Sequence, residues 1–362
     1  MNKVLFTDTD YKSVTLRPFS YLYPSVGTAT TVMCVLLLPQ IAMLFVTQSY
    51  ASLIVLFAAV AASLAAEGIY IGLIKSHQSF WIPAVIQGIL IGLLLPSTYP
   101  PVAVFFIALC SLLLTKYAFG GYTNSWVNPV AVTVAVAYFI NMQAFPQNMV
   151  TTGDLQSRNA ALALIQNGSI PIMKSDYQIT SFLNMTLFKL AGVSIPDGYV
   201  SLLWDSASII PAFRFNIITL FSSIILISLD MVEIIIPAFF VLVYSLLVRF
   251  VSPVIVQGIP CQGDVLLALL SSGTLFSTLY LLQWYGTTPL TTWGKIAYGC
   301  LSGLIAFLIV GCGTSSAGFA FTVLVMNILS PAIQVFESKQ VKQKIENTII
   351  PRLHEMKEVE NV

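Results

Sequence analysis

Charge is what this sequence has least of. Only 9% of its 362 residues are Asp, Glu, Lys or Arg, and there are two histidines. The formal net charge is +1 and the sequence pI is near 7.6, which gives no basic surface for nucleic acid and no field for a strongly acidic partner. Cysteine is sparse and scattered: Cys34, Cys110, Cys261, Cys300 and Cys312 form no CxxC and no Cys/His pair at metal-ligand spacing. Four of them lie within or beside apolar runs and read as small buried hydrophobes. His77 and His354 stand in polar stretches without a catalytic partner. No triad, phosphate-binding lysine loop or metal cluster is present, so hydrolytic chemistry of the soluble type is not expected. The first 25 residues hold Lys3, Asp8, Asp10 and Lys12 and no apolar core, which argues against a cleaved signal peptide. Strand-type alternation is missing too, so a barrel is excluded.

Apolar residues are what remains. They make up 57% of the chain, with a mean hydropathy of +0.87, more than a water-soluble core of this size needs. Several runs reach the roughly 20 residues that a helix needs to cross the hydrocarbon. The reading is an all-α integral membrane protein of about ten transmembrane helices, near 26–46, 50–74, 80–96, 100–117, 128–142, 215–229, 232–250, 263–284, 293–311 and 317–336. Lys3, Lys12, Arg17, Lys75, His77, Lys116, Lys295 and the basic tail all fall on one side, which the positive-inside rule makes cytoplasmic, and Arg249 snorkels from a helix end. Both termini are then cytoplasmic.

This order divides the chain into a cytoplasmic segment 1–25, a first five-helix repeat 26–142, an extracytoplasmic loop 143–214, a second five-helix repeat 215–336 and a cytoplasmic tail 337–362. The loop is too long for an idle connection, and the tail alternates charged and apolar residues as an amphipathic helix does. The halves echo each other in Gln87-Gly88 and Gln262-Gly263. A glycine break also precedes an Asn and a Pro twice: Gly120-Gly121 to Asn128-Pro129, and Gly311 and Gly313 to Asn327 and Pro331. An odd number of spans per half makes such repeats inverted, with a site at their interface.

Two features carry chemistry. The stretch from Lys116 to Pro129 is polar and glycine-bearing between apolar runs. Gly120 and Gly121 permit unusual φ, Asn124 and Asn128 supply donors and acceptors, and Pro129 suits the first turn of a helix. It reads equally as an anion or ring-edge site at a helix start and as an ordinary turn. Glu67 lies inside an apolar run, where a carboxylate points to an ion path or a cofactor contact; the alternative is a side chain that reaches interfacial water. Asp264 reads as a helix cap, and Asp230 and Glu233 as solvated.

The motifs together resemble the family that contains the D-type component of the Rnf ion-translocating oxidoreductase and the B-type component of the Na+-translocating NADH:quinone reductase. The resemblance rests on Lys116, Phe119-Gly120-Gly121, Asn124 and Asn128-Pro129. It is extended by Gln87-Gly88 through Gly92 to Pro96, Gly263-Asp264 through Ser271-Ser272-Gly273, Thr288-Pro289-Leu290-Thr291 with Gly294-Lys295, and Val325-Met326-Asn327 with Pro331. It covers roughly residues 18–335.

The resemblance implies a bacterial inner-membrane subunit that passes electrons by way of flavin within a Na+- or H+-translocating complex, with the other subunits of an Rnf- or quinone reductase-type complex as partners. It also implies a cofactor site at Lys116, Gly120, Gly121, Asn124 and Asn128, with Glu67 on the ion path. The family's covalent FMN sits on a threonine in D-x-x-S-G-A-T. Here the stretch is Asp154-Leu-Gln-Ser157-Arg158-Asn159-Ala160, and Ala160 has no hydroxyl to esterify. Covalent FMN is therefore not expected; FMN or riboflavin would be held noncovalently, with Ser157 and Arg158 available to a phosphate. The sequence leaves two alternatives, an inverted-repeat solute transporter or channel and a purely structural subunit of such a complex.

Overall fold

The computed structural model describes residues 25–74, 80–121, 126–146, 173–192, 194–257, 260–261, 263–284, 287–311, 315–344 and 347. Every regular element among them is helical. The first half holds α1 (Val26–Val46), α2 (Tyr50–Ile74), α3 (Trp81–Leu94), α4 (Pro101–Leu112) and α5 (Pro129–Ile140). Two short helices follow, α6 (Asp176–Leu183) and α7 (Tyr199–Trp204). The second half holds α8 (Asn216–Ser228), α9 (Ile235–Phe250), α10 (Ser252–Val256), α11 (Val265–Ser271), α12 (Thr274–Tyr280), α13 (Thr292–Val310) and α14 (Gly318–Lys344). Five helices among the described residues are long and apolar enough to cross a membrane, within 26–46, 50–73, 235–255, 292–310 and 318–343. Shorter apolar helices, α3, α4, α5 and α8, complete the set with the broken pair α11–α12. The chain is an all-α, multi-pass membrane protein.

The helices start where the sequence supplies caps. Ser25 accepts from Thr28 N, Asn128 from Val130 N and Ala131 N, Asp264 from Leu267 N and Thr291 from Gly294 N. Pro101 and Pro129 occupy first turns, where the missing N–H costs nothing. Asp264 thus caps a helix as its sequence context indicates.

Packing order repeats between the halves. In the first, α2 packs on α4, α4 on α5, α1 on α3 and α3 on α5; in the second, α9 packs on α13, α13 on α14, α8 on α12 and α12 on α14. The Gln-Gly and Asn/Pro echoes do not carry this symmetry. Gly88 lies within α3 whereas Gly263 precedes α11, and Asn128 starts α5 whereas Asn327 and Pro331 lie within α14. Glycine spacing does contribute in each half. A Cβ on Gly88 or Gly92 would stand 2.6 Å from Val60 Cα or 2.5 Å from Leu56 Cα on α2. One on Gly299 or Gly303 would stand 2.9 Å from the Ile236 carbonyl oxygen or 2.8 Å from that of Phe240 on α9. Both are GxxxG contacts that bring backbones together where lipid offers no hydrophobic drive for association.

Connections contact one another at two ends. At the first, Arg214 pairs with Asp205 (Nη2–Oδ2 2.6 Å) and donates to Ser49 Oγ, Ser97 N donates to the Ile209 carbonyl, and Tyr199 donates to Asp264. The segment holding α6 and α7 lies here. At the second, Lys295 pairs with Glu233, Gln283 donates to the Glu233 carbonyl, and Glu337 accepts from Leu290 N and Thr291 N. Glu233 is thus exposed but paired. α14 continues unbroken past 336 to Lys344.

Two other expectations are corrected. The run 263–284 is not one helix: it breaks between α11 and α12 at Gly273, which adopts φ +64°. The described cysteines are buried only in part, and Cys34 alone among them packs against the core. Cys110 and Cys261 are exposed and Cys34 and Cys300 partly buried, because a membrane bundle turns apolar side chains outward as readily as inward; Cys312 lies outside the described residues.

Candidate functional site

The interior of the first half contains a charge cluster at the second end. It begins with an irregularity in α4. Past Leu112 the helix widens into a π-helical turn, Leu113–Tyr117, closed by Ala118 N donating to the Leu113 carbonyl at 2.9 Å. The wide turn sends two consecutive side chains inward, Lys116 at 1% exposure and Tyr117 at 6%. Such turns recur at functional positions.

Both side chains meet Glu67 of α2, itself 2% exposed. Tyr117 Oη donates to Glu67 Oε2 at 2.5 Å, and Lys116 Nζ lies 3.4 Å from the same oxygen. The ammonium also donates to Tyr117 Oη at 2.8 Å and to Gln87 Oε1 of α3 at 3.0 Å. Glu67 Oε1 accepts from Phe80 N at 3.1 Å, closing the α2–α3 connection. Gln87 Nε2 is buried without a hydrogen-bond partner. Glu67 and Lys116 compensate each other's charge, which is the condition for keeping either in the bundle interior.

The glycines that follow are required by backbone geometry. Gly120 and Gly121 adopt φ +100° and +95°, a region costly to residues with a Cβ. A Cβ on Gly121 would lie 3.2 Å from the Tyr70 hydroxyl, and the Tyr70 ring lies 4.9 Å from that of Tyr117. Gly120 is exposed, and beyond it Phe119 and Trp126, about half exposed, meet edge to face at 6.2 Å. Asn128 is wholly buried. Its Oδ1 caps α5, and its Nδ2 donates to the Leu281 carbonyl at 3.0 Å, joining the halves.

Two residues expected at separate tasks, Glu67 and Lys116, are thus one ion pair. Asn128 belongs to a different network, the seam between halves. Asn124, Ser157, Arg158 and Ala160 lie outside the described residues. Sequence reading passes over Gln87 as a side-chain ligand and Tyr117 altogether; a polar residue inside the α3 run is the available signal for the first.

A flavin fits this loop only in part. The Lys116 ammonium and the Asn128 amide are bonded within the protein and offer a ring no free edge. The exposed portion, Gly120 between Phe119 and Trp126, presents bare backbone and aromatic surface on which a planar group can rest.

Comparison with known proteins agrees with this architecture. The profile of the NQR2, RnfD, RnfE family matches residues 13–343. The chain is 23% identical over 263 residues to the D-type component of the Na(+)-translocating ferredoxin:NAD(+) oxidoreductase complex of Acetobacterium woodii, covering 71% of this chain and 72% of that one. It is 26% identical over 278 residues to the D-type component of an ion-translocating oxidoreductase complex of Buchnera aphidicola (71% and 77%), and 25% identical over 325 residues to that of Actinobacillus pleuropneumoniae (83% and 89%). A profile match across most of the chain, on a helical membrane bundle, shows that this protein belongs to the NQR2, RnfD, RnfE family.

Proposed function

We propose that this chain is the D-type membrane component of an Rnf-like complex that couples electron transfer to the movement of Na+ or H+. Its partners are the complex's other subunits, its place is the bacterial inner membrane, and both termini face the cytoplasm. The observation that carries this reading is the Glu67–Lys116 pair, 2% and 1% exposed. An intramembrane ion pair is costly to build and marks ion or proton routes more often than it adds stability. In this reading Glu67 lies on the ion path, and Lys116 holds the compensating charge while the path is closed.

A flavin, FMN or riboflavin, is held noncovalently at the exposed part of the loop, with Gly120 admitting it and Phe119 and Trp126 flanking it. It supplies electron-transfer chemistry; the chain supplies position and a compensated charge nearby. Ala160 leaves no ester site at the family's usual place.

The test is to purify the chain within its assembled complex and record flavin absorbance before and after denaturation, then compare ion uptake by vesicles carrying wild type, Glu67→Gln and Lys116→Met. Flavin released only from complexes containing this chain, with uptake lost in both variants, supports the proposal. Failure to co-purify with redox subunits, or unchanged uptake in both variants, would sink it. A second reading, an inverted-repeat carrier, draws on the helix break at Gly273, since discontinuous helices hold substrate sites in such proteins. Solute flux through vesicles containing this chain alone would favour it.

A further inference from the structure

At the first end, the segment holding α6 and α7 does not close tightly on the second half. Helix α7 packs against both α8 and α11, and between these helices and α6 lies a cavity of about 370 Å³, within the range of small-ligand sites, roughly 300–1,000 Å³. Its walls include Leu183, Phe188 and Leu203 from the segment, Leu220 of α8, and Leu266 and Leu270 of α11. Thr180 and Tyr199 are the two polar side chains of the lining. Both are engaged elsewhere, Thr180 donating to Asp176 and Tyr199 to Asp264. A flavin ring, a sugar or an ion would find no side-chain partner here. Water is disfavoured on the same ground, since a buried water needs about two to four polar partners. The wall chemistry selects hydrocarbon.

The cavity opens on the apolar outer surface. Leu220 and Leu266 are 37% and 42% exposed and mark its mouth, and Phe221, Ile224 and Ile225, also exposed on α8, continue the apolar surface from Leu220. A cation stands close by. Arg249, at the end of α9, donates from Nη1 to the Gly263 carbonyl at 3.1 Å, and Gly263 N donates to the Arg249 carbonyl at 3.3 Å. These bonds hold it against the start of α11, three residues before Leu266. The fit requires glycine, because a Cβ at position 263 would stand 1.9 Å from the Val248 carbonyl oxygen. Arg249 is exposed and, among the described residues, pairs with no carboxylate. Asp264, next to its glycine partner, is occupied with Tyr199 and Leu267 N. Arg249 also departs from the charge rule, standing at the end opposite to Lys116 and Lys295.

We propose that this is a binding site for one anionic phospholipid of the surrounding bilayer. A single acyl chain enters between Leu220 and Leu266 and fills the cavity, and Arg249 holds the headgroup phosphate. The two halves of the site are independent observations that call for the two ends of one molecule. Hydrocarbon suits the walls, and a guanidinium with donors to spare suits an anionic oxygen group, which it can bind through paired N–H···O bonds. Basic positions beside spanning helices are where lipid headgroups are recognised. A chain in the cavity supplies the packing contacts that the walls would otherwise forfeit, so the lipid also fastens the α6–α7 segment to the second half. The site goes beyond the electron- and ion-transfer reading and does not depend on it.

The test is native mass spectrometry of the purified complex containing the full chain, first with its endogenous lipids, then delipidated and titrated with dioleoylphosphatidylglycerol or dioleoylphosphatidylcholine. Leu220→Trp fills the mouth and should remove one bound phospholipid per complex relative to wild type. At that site the wild type should prefer the anionic lipid by about fivefold, the worth of one basic side chain near a membrane surface, and Arg249→Gln should abolish the preference while the chain still binds. Phe221→Trp, beside the mouth but outside the lining, should behave as wild type. Unchanged retention in Leu220→Trp, equal wild-type affinity for the two lipids, or an undiminished preference in Arg249→Gln overturns the proposal. So does an isoprenoid, in place of a phospholipid, as the endogenous molecule that Leu220→Trp displaces. Arg249→Gln alters an exposed side chain and decides the matter even if Leu220→Trp fails to fold.

Discussion

The two halves share a packing order and differ in what they bury. The first encloses a full ion pair, Glu67 and Lys116, with Tyr117 and Gln87 sharing its hydrogen bonds. The second encloses neutral groups: Asn216, Thr219, Ser271, Ser277 and Tyr280 at one junction, and Asn327 within α14, whose amide atoms both lack partners. Helix order is set by apolar packing and close glycine contacts, which either half can satisfy with different polar chemistry. Polar residues are then free to diverge: the first half pairs charges, and the second buries neutral groups whose desolvation costs less than that of an unpaired charge.

The sharpest way to break this contrast is to remove one charge from the first half. Lys116→Met leaves Glu67 buried and uncompensated and should cost about 3–5 kcal/mol in unfolding free energy. The double variant with Glu67→Gln should recover most of that. If denaturation in detergent finds the double variant as unstable as the single, the cluster is not held by charge compensation.

Next in size are the glycine contacts. Gly88→Ala and Gly299→Ala each press a methyl group against the neighbouring helix, at 2.6 and 2.9 Å, and should cost about 1–3 kcal/mol. Gly72→Ala, with nothing within 4 Å of the added carbon, should instead be neutral or stabilise by up to about 1 kcal/mol. Similar losses at Gly88 and Gly299, read as thermal midpoints, would confirm that the halves share this device; a loss at only one would show the resemblance to be superficial.

A smaller effect is expected at the seam. Asn128→Ala removes the cap of α5 and the bond to Leu281, a loss of about 1–2 kcal/mol. Asn128→Asp keeps the cap but cannot donate, so the difference between the two isolates the link between halves.

The smallest effect concerns the segment outside both halves. Asp176 is buried. Burial acts to raise its carboxyl pKa, but hydrogen bonds from Ser201 Oγ and N, Gly198 N and Thr180 outweigh it and hold the value below the usual carboxylate range. A carboxyl depressed in the folded state contributes stability above its unfolded pKa, about 4, and loses it as pH falls through the folded value. Hydrogen exchange over 173–204 should therefore accelerate below about pH 4, and Asp176→Asn should flatten that dependence while lowering protection at neutral pH.

The bundle is legible because apolar run length reports crossings directly, and Glu67 is legible because a carboxylate in such a run is conspicuous. Its partner is not. Lys116 lies 49 positions away in sequence and looks like a loop residue until the wide turn of α4 aims it inward. Gly273 is hidden because Ser271-Ser272-Gly273-Thr274 sits in a run apolar enough to pass as one helix. Thr219 and Ser277 are invisible for a related reason: hydroxyls are common in spanning helices, and only geometry tells one that bonds its own backbone from one that does not. Cys110 misleads because burial habits learned from soluble cores fail where the outer face is also apolar.

The π-helical turn at Leu113–Tyr117 acts as a phase shifter. In a regular α-helix adjacent side chains diverge by about 100°, so one carboxylate could not easily receive both Lys116 and Tyr117. In the widened turn both side chains are buried and reach Glu67, and everything after it, including the glycines at 120 and 121, is offset relative to the rest of α4. A deletion of one residue in this turn would let the helix close regularly. Its composition, charge and hydropathy would barely change, yet Lys116 and Tyr117 could no longer both face Glu67. The sequence length at this one place is therefore itself a functional quantity, as constrained as the identity of the lysine.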